Sequence, residues 1–447
     1  MSESSIVLTL FGSFLLLLVL GAPVMASLGV AALVSFLYLD ENPIKLVQIA
    51  FNSVGSFPLM ALPAFILAGA LMEASGISKR LVNLAESFAG PVTGGMSAAA
   101  ILACMFFGAI SGSGPATTAA VGMLMIPAMV KRGYDKGYAS AVTASSGGLG
   151  IVIPPSIPMV IFGISALGMT VPLDAIAKHG EFQSISIPKL FIAGFLPGVV
   201  MAVSLMTLNY IQCRRYGYKG TGEGWSVDQI RKAIRSGVWS ILAPLVILGG
   251  IYSGLFTPTE SAIVAIFYTL FIGIFVHREL KWKDLAHCLE TTTWISGRVL
   301  LILFTATAFG RILVENQIPA IIADSMLSVT DNLYLIWLLL IGFLLFVGMF
   351  METLAAIMIL TPVLLPVTYT LGIDPVHFGI VMVCSLSIGF STPPLGENLF
   401  VASGISKTPL EEVTAKALPF ALMSTIAVIL VAYIPAISLT LPRLLGY

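Results

Sequence analysis

The sequence predicts an all-α integral membrane protein assembled from two copies of one unit, and three observations carry that prediction. Hydrophobic residues fill 57% of the 447 positions and charged residues only 10%, with a mean hydropathy of +1.00, far outside the soluble range. Apolar runs of about 20 residues, long enough to cross a bilayer core as a helix, recur along the whole chain. Breaker residues then repeat at an offset of 239. Pro127 falls on Pro366, Gly133 on Gly372, Asp135 on Asp374, Gly150 on Gly389, and Pro154 and Pro155 on Pro393 and Pro394.

Taken in order, spans are expected near 5–20, 24–39, 58–77, 138–168, 187–211, 237–254, 258–277, 292–314, 377–405 and 415–440. The first has no basic stretch before it and flows into further apolar sequence, which favours a retained span over a cleaved leader. Residues 97–130 and 333–370 do not fit the ruler, each being too long for one span and too short for two. Both read as re-entrant hairpins, with tips at SGSGP (111–115) and GMFMETLAA (348–356). Backbone that leaves the helix at membrane depth is tolerated only inside protein or beside a wet cavity, so the tips are expected to meet something polar. The amphipathic stretches 43–56 and 281–291 are expected to lie along the two membrane faces. In the first, Ile44, Leu46, Val47, Ile49, Ala50 and Phe51 would face the bilayer edge, and Lys45, Gln48 and Asn52 would face water.

Charge orients the chain. Placing the loops 78–96, 131–137, 212–236, 277–284 and 406–416 together gathers 16 Lys and Arg residues on one side against 4 (Lys45, Lys178, Lys189 and Arg443) on the other. The positive-inside rule makes the first side cytoplasmic, with both termini outside. The first hairpin then enters from the cytoplasm, and the second, whose exit LGIDPVHFG carries no Lys or Arg, from the opposite face. The 22 basic and 22 acidic residues cancel, so nothing points to nucleic acid or an anionic surface as partner. The four cysteines show no paired spacing and the four histidines are scattered, which predicts neither a disulfide framework nor a metal cluster.

Each unit reads as two spans, an amphipathic segment, a span, a hairpin, a broken span and a last span. Five spans is an odd number, so the second copy is expected upside down. Inverted repeats with discontinuous helices are the pointer to a secondary transporter whose site lies at the midplane between the copies. Weaker matches extend the register: Pro23 with Pro258, Gly69 with Gly310, and FGIS at 162–165 with SGIS at 403–406.

The matched interruptions are SSGGLGIVIPPSIPMV (145–160) and SLSIGFSTPPLGENLF (385–400). A Pro pair removes two amide donors and frees the carbonyls upstream, and Pro155 and Pro394 could each open the following half-helix. Free carbonyls at the C-terminal ends suit a desolvated sodium ion, and free amides at the N-terminal ends suit a carboxylate. One cation site is expected from Ser111, Gly112, Ser113, Gly150, Ile153 and Pro155, the last two through carbonyls only, and its mirror image from Thr353, Gly389, Thr392, Pro394 and Gly396.

The stretches GSGPATTAAVG, GIVIPPSIPMV, METLAAIMILTPVLLPV and STPPLGENLFVASGIS resemble the large membrane subunit of tripartite ATP-independent periplasmic (TRAP) transporters, over essentially the whole chain. The resemblance implies an elevator-type, sodium-driven importer of organic acids, of the sialic acid or C4-dicarboxylate class, in the bacterial inner membrane. It implies two partners, a small four-span membrane subunit, here expected as a separate polypeptide, and a periplasmic substrate-binding protein. The expected division is scaffold and first arm at 1–57, one transport-domain half at 58–168, scaffold and second arm at 187–291, the other half at 292–405, and a terminal scaffold span at 415–447.

Ionisable groups inside spans are functional candidates by default. Arg298 and Glu352, with Ser113 and Ser156, are the residues expected at the substrate. Arg311, one turn from Glu315, reads as paired or snorkelling, and Glu397 and Asn398 are expected to fix the tip by hydrogen bonds. A channel would need a continuous polar stripe or charged ring, and a hydrolase built on Ser111 or Ser113 would need a base nearby; neither is present in the sequence. A self-sufficient sodium–dicarboxylate symporter stays open beside the three-component reading. No enzymatic activity is expected.

Overall fold

The computed structural model describes residues 3–55, 57–167, 169, 171–180, 182, 184–220, 224–318, 321, 330, 332–394 and 396–446. Most described residues are helical, with no strand among them. Among the described residues seven helices are long and apolar enough to cross a membrane, or up to nine if each bent pair counts as one span.

In the first copy, α1 (Glu3–Val19) and α2 (Val24–Tyr38) are joined by a turn at Gly21, and α3 (Pro43–Val54) begins on Asn42, whose side chain accepts from the Ile44 amide at 3.0 Å. α4 (Ala61–Ala74) turns by 69° into α5 (Ile77–Ala89) at Gly76. α6 (Gly95–Ser111) and α7 (Gly114–Lys131) form the first hairpin. The broken span is α8 (Lys136–Gly147), α9 (Leu149–Val152) and α10 (Ile157–Ala166), bent by 41°. A short α11 (Leu173–His179) leads to α12 (Ile187–Tyr216). The second copy runs α13 (Val227–Tyr252), α14 (Pro258–Phe271), α15 (Trp282–Glu315), α16 (Leu333–Phe350), α17 (Thr353–Thr370), α18 (Pro375–Gly389), α19 (Glu397–Ser406) and α20 (Leu410–Tyr433), closed by α21 (Ala436–Leu444).

The copies interleave crosswise. α20 packs on α8 as α12 packs on α18; α19 packs on α7 as α10 packs on α17; α14 packs on α4 as α2 packs on α15. Replacing both members of a contact by their counterparts in the other copy gives another contact of the fold, which a two-fold relation between copies requires. Shared local chemistry sets the register. Gly133 and Gly372 both take positive φ (+85° and +72°), a conformation glycine adopts without a Cβ penalty. Two residues later, Asp135 accepts from the Tyr138 amide at 2.8 Å, and Asp374 from Val376 and His377 at 2.9 and 3.1 Å, capping α8 and α18. Lys416 of α20 hydrogen-bonds Asp135, and Lys189 of α12 interacts electrostatically with Asp374.

Several boundaries differ from the sequence reading. Residues 78–89, expected in a loop, belong to α5, whose buried face (Ile77, Leu81, Val82, Leu84, Ala85) packs on α6 and α13; its charged opposite face disguised it. The loop at 212–236 is shortened at both ends, because α12 runs on to Tyr216 and α13 already begins at Val227, capped by Ser226. The second amphipathic segment and the span at 292–314 are one continuous helix, α15, with no breaker between them. In α3, Leu46 and Ala50 are buried on the side that meets α15, while Ile44, Val47 and Phe51 stay exposed; the side chains of Ile49 and Asn52 lie outside the described residues, as does the expected span end at 168. The Pro pairs sit within the breaks and do not open the half-helices, which start instead after Ser156 and Gly396.

The two hairpins also differ. α6 and α7 pack along each other, whereas α16 and α17 scarcely touch, α16 lying along α18 and α17 against α15 and α10. Small residues permit close helix approach. α6 carries Gly95, Ala98, Ala99, Ala100, Ala103 and Gly108, while α16 is built mainly from Leu, Phe and Trp.

Candidate substrate and cation site

The first tip is the junction of α6 and α7. α6 ends because Gly112 turns left-handed (φ +61°), and α7 starts where Ser113 becomes extended and its hydroxyl accepts from the Ala116 amide at 3.5 Å. Pro115 in the first turn removes an amide that would otherwise be orphaned. The Thr117 hydroxyl donates to Ser113 O at 2.7 Å, and Ser111 Oγ lies 2.8 Å from Thr117 Oγ1.

The first break lies directly against this tip. A Cβ added to Gly150 would come within 2.4 Å of Thr117 Oγ1 and 2.6 Å of Ser113 O, and one added to Gly108 within 2.8 Å of Gly150 Cα. The Ile157 amide donates to Gly112 O at 3.4 Å, and Pro155 O would be 2.9 Å from a Cβ on Gly112. Ser111, Gly112, Ser113, Gly150 and Pro155 are thus brought together. Ile153 occupies the break with its side chain against Gly198 of α12. Ser156 accepts from the Met159 amide at 3.3 Å and donates to Ile151 O, so its hydroxyl is engaged within the broken span.

The second set repeats the glycine crossing. A Cβ on Gly389 would come within 2.2 Å of Gly348 O, and Gly348 stands 240 residues from Gly108 as Gly389 stands 239 from Gly150. Thr392 Oγ1 donates back to Ile388 O at 3.0 Å, and Gly396 (φ +40°) precedes α19. Pro394 lies between them, in the break. Thr353 is buried at the start of α17. Among the described residues no hydrogen bond joins it to 389–396. Glu352 accepts from Arg298 Nη2 at 2.6 Å, the Arg side chain 57% exposed and the Glu 21%. Glu397 is within electrostatic reach of both. Arg311 pairs with Glu315 at 2.6 Å.

The two sets meet at the contact between copies. Asn398 Nδ2 and Ser391 Oγ both donate to Ala144 O, at 3.0 and 3.2 Å, while the buried Asn398 Oδ1 has no partner among the described residues. Ser145, Gly148, Ser387, Ser391 and Ser424 line a small cavity there, and the buried Ser145 Oγ has no hydrogen-bond partner among the described residues. Sequence reasoning missed Thr117 and Gly108. The first was visible as a hydroxyl one helical turn after Ser113, the second as the offset partner of Gly348.

Chemically, the first site offers hydroxyl and carbonyl oxygens and no carboxylate, a hard neutral donor set that fits a small hard cation and not a soft one. Arg298, half-exposed beside the second tip, already spends one guanidinium nitrogen on Glu352.

The model of the DctM component of the tripartite ATP-independent periplasmic transporters matches residues 11–437. The chain belongs to this family. As a large TRAP membrane subunit it is a multi-pass inner-membrane transport protein and not an enzyme. It is 37% identical over 441 residues to the C4-dicarboxylate TRAP transporter large permease protein DctM of Rhodobacter capsulatus, covering 98% of this chain and 99% of that one. It is 36% identical over 441 residues to the sialic acid TRAP transporter large permease protein SiaM of Vibrio cholerae, covering 98% and 99%. It is 44% identical over 429 residues to the isethionate TRAP transporter permease protein DctMQ of Oleidesulfovibrio alaskensis, covering 96% of this chain and 65% of that protein, which is therefore longer. The YdaH transporter of Alcanivorax borkumensis superposes with a TM-score of 0.63 at 16% identity, over 90% of this TRAP subunit and 89% of that chain, a likeness of fold.

Proposed function

We propose that the chain is the permease subunit of a three-component importer, coupling the inward movement of sodium to uptake of a small organic anion. Tip-on-break packing, present in both copies as the crossings Gly108–Gly150 and Gly348–Gly389, is the observation that most supports it. Such packing sets the hydroxyls and carbonyls of the tip against helix ends at one depth, the arrangement that broken helices of transporters use to hold an ion and an anion together. Sodium bound there neutralises the helix C-termini. Ser111, Gly112, Ser113, Gly150 and Pro155 hold it in the first copy, Ile153 adding its carbonyl, and Thr353, Gly389, Thr392, Pro394 and Gly396 hold a second ion in the other. Arg298 takes the substrate's acid group, in competition with Glu352, and Ser113 and Ser156 of the first copy complete the substrate site.

In this reading the hairpins and broken spans (58–168 and 292–405) move as one body against the remaining helices, an elevator. The basic loops face the cytoplasm and both termini the periplasm. A soluble binding protein delivers substrate, and a small membrane subunit completes the scaffold. The substrate class spans the acids in the names of the relatives, carboxylates such as sialic acid and C4-dicarboxylates and, from the 44% identical relative, the sulfonate isethionate. Uptake into proteoliposomes tests the proposal. Accumulation should require a sodium gradient, the small subunit and the loaded binding protein together. Robust sodium-driven uptake by the chain alone would favour a self-sufficient symporter, and gradient-independent flux would favour a channel.

A further inference from the structure

A groove separate from the tips runs between α5, α6 and α13. It encloses about 310 Å³ and is lined by apolar side chains, among them Leu84 and Phe88 of α5, Phe106 and Ala109 of α6, and Ile234 and Ile241 of α13. One end is polar. Trp225 Nε1 donates to Phe88 O at 3.0 Å with the indole 66% exposed, the posture of an interfacial tryptophan. One turn before Ile234, toward that same end, α13 carries Arg231 and Lys232, with Arg235 just after it. Lys232 pairs with Asp228 at 3.2 Å, while among the described residues no acidic side chain forms an ion pair with the exposed Arg231 or Arg235.

We propose that this groove binds an anionic phospholipid, one acyl chain lying between α5, α6 and α13 and the phosphate resting on Arg231 and Arg235. Size selects the occupant. A helix about 10 Å across would need roughly 1,500 Å³ along the 20 Å length of a 13-residue helix such as α5, about five times the 310 Å³ the groove encloses, whereas a single acyl chain is slender enough. Charge selects the headgroup. Two exposed arginines within one turn of Ile234, on stems able to snorkel to the interface, attract an anionic lipid by about fivefold each.

The chain, purified with its membrane partner and exchanged into nanodiscs of phosphatidylglycerol and phosphatidylcholine, should retain one phosphatidylglycerol through native mass spectrometry. Ile234→Trp, which fills the groove, should abolish retention, with Ala109→Leu as the second variant should the first fail to fold. Phe267→Trp, on the exposed face of α14, should leave it unchanged. Arg231→Gln with Arg235→Gln should erase the preference for phosphatidylglycerol while a lipid is still held. Equal retention by wild type and both groove-filling variants, equal retention of the two lipids by wild type, or cross-linking of Ile234→Cys to the small subunit in place of lipid would overturn the proposal.

Discussion

Adding one methyl group at Gly150 attacks the contact on which the functional reading depends. The new Cβ would stand 2.4 Å from Thr117 Oγ1 and 2.6 Å from Ser113 O, where ordinary contact begins near 3.4 Å. Tip and break must therefore separate by about 1 Å, and overpacking of that kind costs about 1–3 kcal/mol, or roughly 5- to 150-fold in an affinity that depends on the contact. Alanine also stiffens a helix relative to glycine by about 0.5–1 kcal/mol, so the reference is Gly404→Ala, a helical position with nothing within 4 Å of the new Cβ. Gly389→Ala should be at least as severe, because its nearest atoms at 2.2 and 2.5 Å are the backbone O and C of Gly348. The assay is the sodium concentration for half-maximal uptake in proteoliposomes, with thermal unfolding measured in parallel. Both crossing variants should show it raised at least about fivefold over Gly404→Ala. If Gly150→Ala and Gly404→Ala gave the same sodium dependence, the tip would not be pressed on the break where ions bind.

Ser111→Ala and Thr353→Ala each delete one oxygen and little volume; each should weaken sodium activation about tenfold, the scale of a hydrogen bond to a charged group, without lowering thermal stability to match. Glu352→Gln should lower the substrate KM by up to about fivefold, the upper range for a partly exposed ion pair, while Arg298→Gln should abolish uptake; an unchanged KM in Arg298→Gln would remove Arg298 from the substrate site. At the basic face, burial pushes the Asp135 carboxyl up, but hydrogen bonds from Lys416 and from the Tyr138 amide outweigh it and hold the group below its ordinary 3.8. A depressed carboxylate stabilises fully above its ordinary value and loses that stabilisation as pH falls through the folded one. The stability difference between wild type and Lys416→Met should therefore be constant above about pH 5 and shrink toward about pH 3, as read by thermal unfolding.

Breakers were the legible part of this fold. Gly133, Asp135 and Gly150 recur as Gly372, Asp374 and Gly389 because each occupies a backbone position that few residue types tolerate, so the register survived in the sequence and reappears as matched turns, caps and crossings. Helix ends were less legible. α5 carries Lys79, Arg80 and Glu86 on one face, and a ruler tuned to continuous apolar runs passes over a helix buried on one side only. The 34-residue α15 shows that an amphipathic stretch and a span can share one axis when no glycine or proline separates them. Of the site, the residues local to tip and break were readable, whereas the reach of Asn398 and Ser391 to Ala144 spans 254 and 247 positions, and no local pattern encodes it. The splaying of α16 from α17 came from side-chain bulk, which was present in the sequence but silent in a search for turns.

Access to the first tip tests the central claim most directly. With the four native cysteines, all buried and free, replaced, Ser113→Cys is labelled by a membrane-impermeant thiol reagent applied from either side of sealed proteoliposomes that retain transport. If the tips travel with bound sodium, the thiol reacts from one side or the other according to conformation, and sodium shifts the ratio because ions bound at the tips bias that equilibrium by their differential affinity. Labelling confined to one side under every sodium and substrate condition, while transport continues, would contradict the account and replace a moving body with local gating at a fixed site.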